Sequence, residues 1–250
     1  MHTFGLLGHP LGHSFSRNFF TEKFKNEQID AQYLNFDLPN IEDLPEMLKD
    51  VHFLTGFNVT IPYKEQIIPF LDELDEEAAE IGAVNVVCVR EIEGKRILKG
   101  YNSDVVGFTN SIRPLIKPEM NQKALVLGTG GASKAVVYSL RKMGIIPQLV
   151  SRTAREDILS YSDMTVEMFH SYRIIVNTTP LGMYPNTDDK PDIPYDGITS
   201  SHVCFDLIYN PVKTQFLAEA EKRGATIQNG QAMLIGQALE AWRIWNGLDQ

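Results

Sequence analysis

Residues 122–152 read QKALVLGTGGASKAVVYSLRKMGIIPQLVSR, and the fold turns on this stretch. KALVL is an apolar, β-prone run. Gly128, Gly130 and Gly131 follow it, then a helix-like segment, then a second apolar run that closes at Ser151 and Arg152. Strand, glycine turn, helix and strand in this order open a dinucleotide-binding βαβ unit, where missing side chains let the backbone approach a pyrophosphate at the helix N-terminus. A GxG by itself is as often a plain tight turn, so it is the strand before and the helix after that favour binding. Ala132 and Ser133 complete the turn. Ser133 stands where a third glycine is usual, small enough for close packing and carrying a hydroxyl that could reach a phosphate.

The end of the second strand selects the dinucleotide. Enzymes that use NAD usually place an Asp or Glu there to hold the ribose 2′-hydroxyl. This chain has Ser151, Arg152 and Thr153, with Arg155 beyond. An acidic residue would repel a 2′-phosphate, whereas a guanidinium forms charge-assisted bonds to it. NADP is therefore the expected cofactor, against the plain alternative of a solvated surface arginine.

Downstream, RIIVNTT, HVCFDLIY and ATIQNG read as three further strands, KTQFLAEAEKRG as a helix between the last two, and AMLIGQALEAWRIWNG as a long amphipathic helix. Upstream, the polar KPEMNQ is only a short connector, and DVVGFTNSIRPLI before it is helix-like. VVCVREIEGKRILKGYN places two β-prone runs around a turn, a hairpin signature. From TFGLLG to AVNVVCVR the chain alternates apolar runs with amphipathic segments, including SRNFFTEKFKNEQ, IEDLPEMLKD and KEQIIPFLDEL. Such alternation predicts a mostly parallel sheet covered on both faces. The fold expected is α/β: an N-terminal three-layer domain over 1–103, and a Rossmann-type doubly wound dinucleotide-binding domain over 104–232.

The 250 residues carry 23 Lys and Arg against 32 Asp and Glu, a net charge of -9, which works against general attraction to nucleic acid or to an anionic membrane surface. Cys88 and Cys204 lie in apolar runs with no spacing that suggests a metal site, and read as buried thiols of a reducing compartment. MHTFGLLGHPLGHS lacks a basic leader, and no window approaches the ~18 apolar residues of a membrane span. A cytoplasmic protein of small-molecule chemistry is expected, its oligomeric state open, a homodimer included.

Three segments carry residues suited to chemistry. In FNVTIPYKEQI a strand ends at Thr60, and Pro62 suits the first turn of a helix that would hold Lys64 near the positive end of its dipole. Lys64 would then give up its proton more readily than a surface lysine, the alternative being a solvated lysine paired with Glu65 or a residue four further on. In GYNSDVVGF, Asp104 is either the N-cap of the following helix or, opposed to Lys64 across a cleft, half of a proton-exchanging pair. GHPLGHSFS offers Ser14 and Ser16 at the C-terminal edge of the first strand, where α/β sheets bind ligands; a serine-rich helix cap is the alternative.

Taken together, GHPLGHSFS, NVTIPYK, AVN, GYNSDVVGF, GTGGAS, SRT, NTTPLGM, YNPVKTQFL and NGQAMLIGQA occur in the order in which the shikimate dehydrogenase family carries such motifs, and the chain resembles that family over nearly its whole length. The resemblance implies reversible NADPH-dependent reduction of 3-dehydroshikimate to shikimate in aromatic amino acid (chorismate) biosynthesis, with no metal. It implies that Ser14, Ser16, Thr60, Asn85, Asp104 and Gln237 contact shikimate, with Lys64 and Asp104 as the catalytic pair. The glycine turn, Ser151 to Thr153 and the segment around Asn177, Thr178 and Met183 would line the NADP site. Ile208, Tyr209 and Gly230 would lie near the nicotinamide or the domain junction, Tyr209 counting also with the substrate residues. The last helix, 233–250, would rejoin the substrate domain, and Gly107 and Gly230 would bracket a hinge.

Arg17 stands where proline is common, Phe20 where histidine is, NSD replaces NTD, and 153–172 is shorter than usual. A related quinate/shikimate dehydrogenase using NAD is disfavoured by Arg152 and the lack of an acid at the strand end. A non-catalytic dinucleotide sensor is disfavoured by Lys64 and Asp104 together.

Overall fold

The computed structural model describes residues 1–12, 14–117 and 123–247. The chain divides into two compact units, Met1–Ser103 with Ala238–Gln250, and Asp104–Gln237.

The first unit begins with β1 (His2–Gly8), α1 (Phe15–Asn26), β2 (Ala31–Asp37), α2 (Leu44–Asp50) and β3 (Leu54–Val59), and continues with β4 (Glu73–Leu74), α3 (Glu76–Ile81), β5 (Val86–Ile92) and β6 (Lys95–Tyr101). Its sheet has the order β2-β1-β3-β5-β6-β4. β1 pairs in parallel with β2 and β3, and β5 pairs antiparallel with β3 and β6, so the expected hairpin is present within a mixed sheet.

Strand alternation sends successive side chains to opposite faces. Leu7, Phe36, Val87 and Val89 join a core with Ile41, Leu44 and Ala78 from the helical segments on one face. Phe4, Leu6, Tyr33, Val86 and Cys88 join a second core with Phe20 and Phe24 of α1 and with Ala238, Ala241, Ile244 and Trp245. The sheet is thus a middle layer. Gly56 makes room for Trp245: a Cβ there would collide with the indole, whose Nε1–H donates to the Val87 carbonyl at 3.0 Å.

The segment after β3 departs from expectation. No α-helix follows Thr60; residues 61–67 form irregular turns, succeeded by a 3-10 turn at Ile68–Phe70. Hydrogen bonding explains this. The Lys64 carbonyl, which a helix would offer to Ile68, accepts instead from the Val84 N–H at 2.7 Å, and Pro69 has no N–H to give to Glu65. The dipole argument for Lys64 therefore has no helix to rest on.

The second unit opens with α4 (Asp104–Ile112). Then come β7 (Lys123–Leu127), α5 (Gly131–Lys142), β8 (Ile146–Ser151), β9 (Ile158–Ser160), β10 (Ile174–Asn177), β11 (Val203–Asp206), α6 (Gln215–Lys222) and β12 (Thr226–Gln228). All six strands are parallel, in the order β12-β11-β10-β7-β8-β9. Ala124 and Val126 of β7 pack with Val136 and Leu140 of α5 and with Phe108 and Ile112 of α4, while Leu125 and Leu127 pack with Phe216 and Leu217 of α6.

β9 was not among the expected strands. Three residues are too few to show alternation, and β9 pairs with β8 after a link of only 152–157, which replaces the usual crossover helix. Between β9 and β10 stand two 3-10 turns, Tyr161–Asp163 and Val166–His170, and no α-helix. The final helix, α7 (Gln231–Trp245), begins two residues before the expected 233. The unit boundary falls inside it, at Ala238. Most of the connector at 117–122 and the end of the expected 233–250 helix lie outside the described residues.

Candidate active site

In the second unit the strand order reverses between β7 and β10, and open α/β sheets bind ligands at the C-terminal ends of strands at such a point. The glycine turn lies there. Gly128 has φ +109°, a conformation that disfavours side chains, and a Cβ on it would meet Thr178 Oγ1 at 2.7 Å. Gly130 caps α5 with extended backbone, and nothing lies within 4 Å of where its Cβ would be. The start of α5 is thus an open cradle for an anion. Ser133 is turned away from it: the residue is buried, and its hydroxyl donates to the Gly130 carbonyl at 2.6 Å. Small size is therefore its contribution, and the phosphate contact expected of its hydroxyl is not made available.

At the end of β8, Ser151 Oγ donates to the Thr153 carbonyl at 2.7 Å and accepts from its N–H at 3.2 Å. This tight turn leaves Arg152, Thr153 and Arg155 exposed. Tyr161 lies near enough for the Arg152 charge to oppose the upward push that burial gives its phenol.

The strand-end residues of β10 and β11 are differently placed. Asn177 is fully buried: its amide donates to Asp206 Oδ1 at 3.1 Å, and its carbonyl oxygen accepts from the Thr179 N–H and hydroxyl. Thr178 gives its hydroxyl to the Leu127 carbonyl at 2.7 Å. Both hold the loop in place. Met183 and Tyr209 are exposed, and Ile208 is buried. Gly107 and Gly230, expected at a hinge, serve close packing: a Cβ on Gly107 would lie 2.5 Å from the Met233 carbonyl of α7, and one on Gly230 would overlap the Leu207 carbonyl. Gly236 meets Gly107 in turn, a glycine-to-glycine crossing of α4 and α7 one residue from Gln237.

In the first unit the candidates gather where β1, β3 and the start of β5 end or begin. Ser14 caps α1, its Oγ accepting from the Arg17 N–H at 3.1 Å, a bond that leaves the hydroxyl hydrogen free to be given elsewhere. Ser16 is buried in the first turn and reaches the Tyr33 phenol, which donates to Asn58 Oδ1 at 2.7 Å; the Asn58 amide donates in turn to the Asn85 carbonyl. The Thr60 N–H donates to the Leu7 carbonyl and the His9 N–H to that of Ile61, which fastens the β3 end beside the β1 end. Asp37 fixes the intervening loop, its carboxylate taking His9 Nδ1 at 2.7 Å and the Leu11 N–H at 3.1 Å; both partners hold it below the usual carboxylate range.

Asn85 is 1% exposed; its amide donates to Ser103 Oγ at 3.0 Å, and its oxygen accepts the Ser103 N–H at 2.7 Å. Asp104 is the first residue of α4 and is buried. Sequence reasoning did not single out Asp37, Tyr33, Asn58, Asp206 or Thr214. An acid at the end of the apolar run HVCFD was the one signal that could have exposed Asp206.

A six-stranded parallel sheet in this order, with a glycine turn at its switch point, defines a Rossmann-type nucleotide-binding unit, here joined to a mixed α/β unit. A family model described as the shikimate dehydrogenase substrate binding domain matches residues 6–87. Shikimate dehydrogenase (NADP(+)) of Methanococcus maripaludis is 38% identical over 97% of this chain and 91% of its own length. The crystal structure of shikimate dehydrogenase from Aquifex aeolicus superposes with a TM-score of 0.85 at 36% identity, covering 98% of this chain and 92% of that one. The Thermus thermophilus enzyme in complex with NADP(H) and shikimate gives 0.83 at 33%, covering 99% and 94%. The chain belongs to the shikimate dehydrogenase family.

Proposed function

We propose that the protein is an NADP-dependent shikimate dehydrogenase, reversibly reducing 3-dehydroshikimate to shikimate in the aromatic amino acid pathway. The observation that carries this reading is identity of 38% with a shikimate dehydrogenase (NADP(+)) over nearly the full length of both chains. Residues 1–103 with the end of α7 form the substrate-binding part and 104–232 the NADP-binding part.

The open cradle at Gly130 and the exposed Arg152 fit a phosphorylated dinucleotide. Bound there, NADPH supplies the hydride. Gly128, Gly130 and Gly131 admit its pyrophosphate, and Arg152 with Arg155 takes the 2′-phosphate. Ser14, Ser16, Thr60, Asn85 and Gln237 hold the substrate, and Tyr209 adds a contact. Lys64 supplies the proton to the oxygen that becomes the new hydroxyl, and Asp104 orients that oxygen and balances the charge. No helix among the described residues is long and apolar enough to cross a membrane. The same reading places the enzyme in the cytoplasm, free of nucleic-acid and membrane partners, with a homodimer compatible with it.

Initial rates with shikimate and with quinate, each with NADP and with NAD, test the assignment. Turnover should be greatest with shikimate and NADP; a preference for NAD, or for quinate, would favour the quinate/shikimate dehydrogenase alternative.

A further inference from the structure

Asp206 closes β11 with its side chain wholly inside the second unit. Three groups donate to it: Asn177 Nδ2 to Oδ1 at 3.1 Å, the Ile208 N–H to Oδ1 at 3.0 Å, and Thr214 Oγ1 to Oδ2 at 2.6 Å. All three donors are neutral. Burying a carboxylate among neutral donors is costly, and apolar packing would usually stabilise a fold as well or better. The carboxylate must therefore be weighed by what it holds in place.

Asn177, through its carbonyl oxygen, holds Thr179, whose hydroxyl accepts from the Leu181 N–H at 3.3 Å, so the β10 loop is drawn onto Asp206. The bond to Ile208 fixes the first turn of the β11 loop, and the bond to Thr214 fixes the start of α6, whose Leu217 N–H that same hydroxyl caps. One carboxylate thus ties together two loops and a helix start on the β10 side of the switch point. The 2′-phosphate residue Arg152 follows β8 and the pyrophosphate cradle follows β7, so the other half of a bound dinucleotide extends over β10 and β11.

We propose that Asp206 is a positioning residue for the cofactor, which through Asn177 and Thr214 sets the two loops that receive the nicotinamide half of NADP. This rests on the reading of the chain as an NADP enzyme, and it gives Asn177 a role through Asp206 and Thr179 in place of the direct contact implied by resemblance.

Calorimetric titration of NADP, and separately of shikimate, into the wild type and variants tests it. Asp206→Asn keeps shape and one acceptor oxygen but removes the charge. It should weaken NADP binding about 10-fold, the order expected when a hydrogen bond to a charged group is lost, and leave shikimate affinity within about twofold. Thr214→Val should weaken NADP binding in the same direction, Thr214→Ser should keep wild-type affinity, and Asp206→Asn with Thr214→Val should be no weaker than Asp206→Asn alone, because the Thr214 hydroxyl acts through the Asp206 carboxylate. A merely structural role would lower the melting temperature without separating the two ligands.

Unchanged NADP affinity in a folded Asp206→Asn protein, a parallel loss of both ligands, or additive losses in the double variant would overturn the proposal. If Asp206→Asn fails to fold, the Thr214→Val and Thr214→Ser pair decides the matter by the same criteria. A wild type that binds no NADP would overturn the functional reading itself, and the proposal with it, an outcome distinct from a wild type that binds while its variants do not differ.

Discussion

The ends of β7 and β3, proposed for cofactor and substrate, are built by different means. After β7, three glycines and a helix make the cradle proposed for the pyrophosphate from residues adjacent in sequence, 128–131, with backbone N–H groups as its donors. After β3 the chain abandons the helix at once. Lys64 is held in a turn because Val84, twenty residues on, takes its carbonyl, and the neighbouring β1 loop is held by Asp37. A cofactor shared by many enzymes can be bound by a local motif, whereas a pocket for one substrate is assembled from distant segments, each fixed by its own bonds.

That contrast is most strongly tested at Lys64. Lys64→Ala should lower kcat by roughly 10²- to 10⁴-fold, the usual worth of a positioned acid or base. Steady-state kinetics with near-normal kcat would mean that the β3 end only binds.

The next largest effect concerns stability. Burial pushes the Asp206 carboxyl up to about 6, against the pull of Thr214, Ile208 and Asn177. Its value in the unfolded chain is ~3.9. A carboxyl raised by folding stabilises the folded state fully below the unfolded value, and that contribution is lost as pH rises through the folded one. Unfolding free energy should therefore fall by about 3 kcal/mol between roughly pH 4 and pH 6 from this group. Denaturant titrations across that window should show the slope in the wild type and a flatter profile in Asp206→Asn; identical profiles would remove Asp206 as its source.

At the β8 end, Arg152→Ala should weaken NADP binding by about 1.5 to 3 kcal/mol, or roughly 10- to 150-fold, and leave NAD affinity nearly unchanged. If Arg155 shares the contact, the single loss is smaller and the double variant shows the whole of it. A double variant that binds NADP as tightly as the wild type would contradict the assignment.

The smallest effect lies at Ser14. Ser14→Ala removes the α1 cap, at about 1 kcal/mol of stability, and should raise KM for shikimate more than it lowers kcat. Loss of kcat at unchanged KM would move Ser14 from holding the substrate to the chemistry.

The same contrast explains what the sequence made legible. β7, the glycine turn, α5 and β8 could be read directly, because alternation, glycine and amphipathic spacing are all local signals. The turn at 61–67 could not. Pro62 in FNVTIPYKEQI suits a helix start, whereas the bond from Val84, twenty residues further on from Lys64, and the missing N–H of Pro69 work against one. Asn177 shows the same limit within the second unit: NTTPLGM places it at the strand end, but its side chain turns inward because Asp206, 29 residues later, is there to receive it. Ser133 likewise follows from its place in the turn, and the direction of its hydroxyl does not.

The division of labour between the two strand ends is tested most directly by calorimetric titration of NADP into Lys64→Ala. The account predicts an NADP dissociation constant within about twofold of the wild type in a protein whose turnover has fallen at least 100-fold. A loss of NADP affinity that accompanies the loss of turnover would show that Lys64 belongs to the cofactor site, and would contradict it.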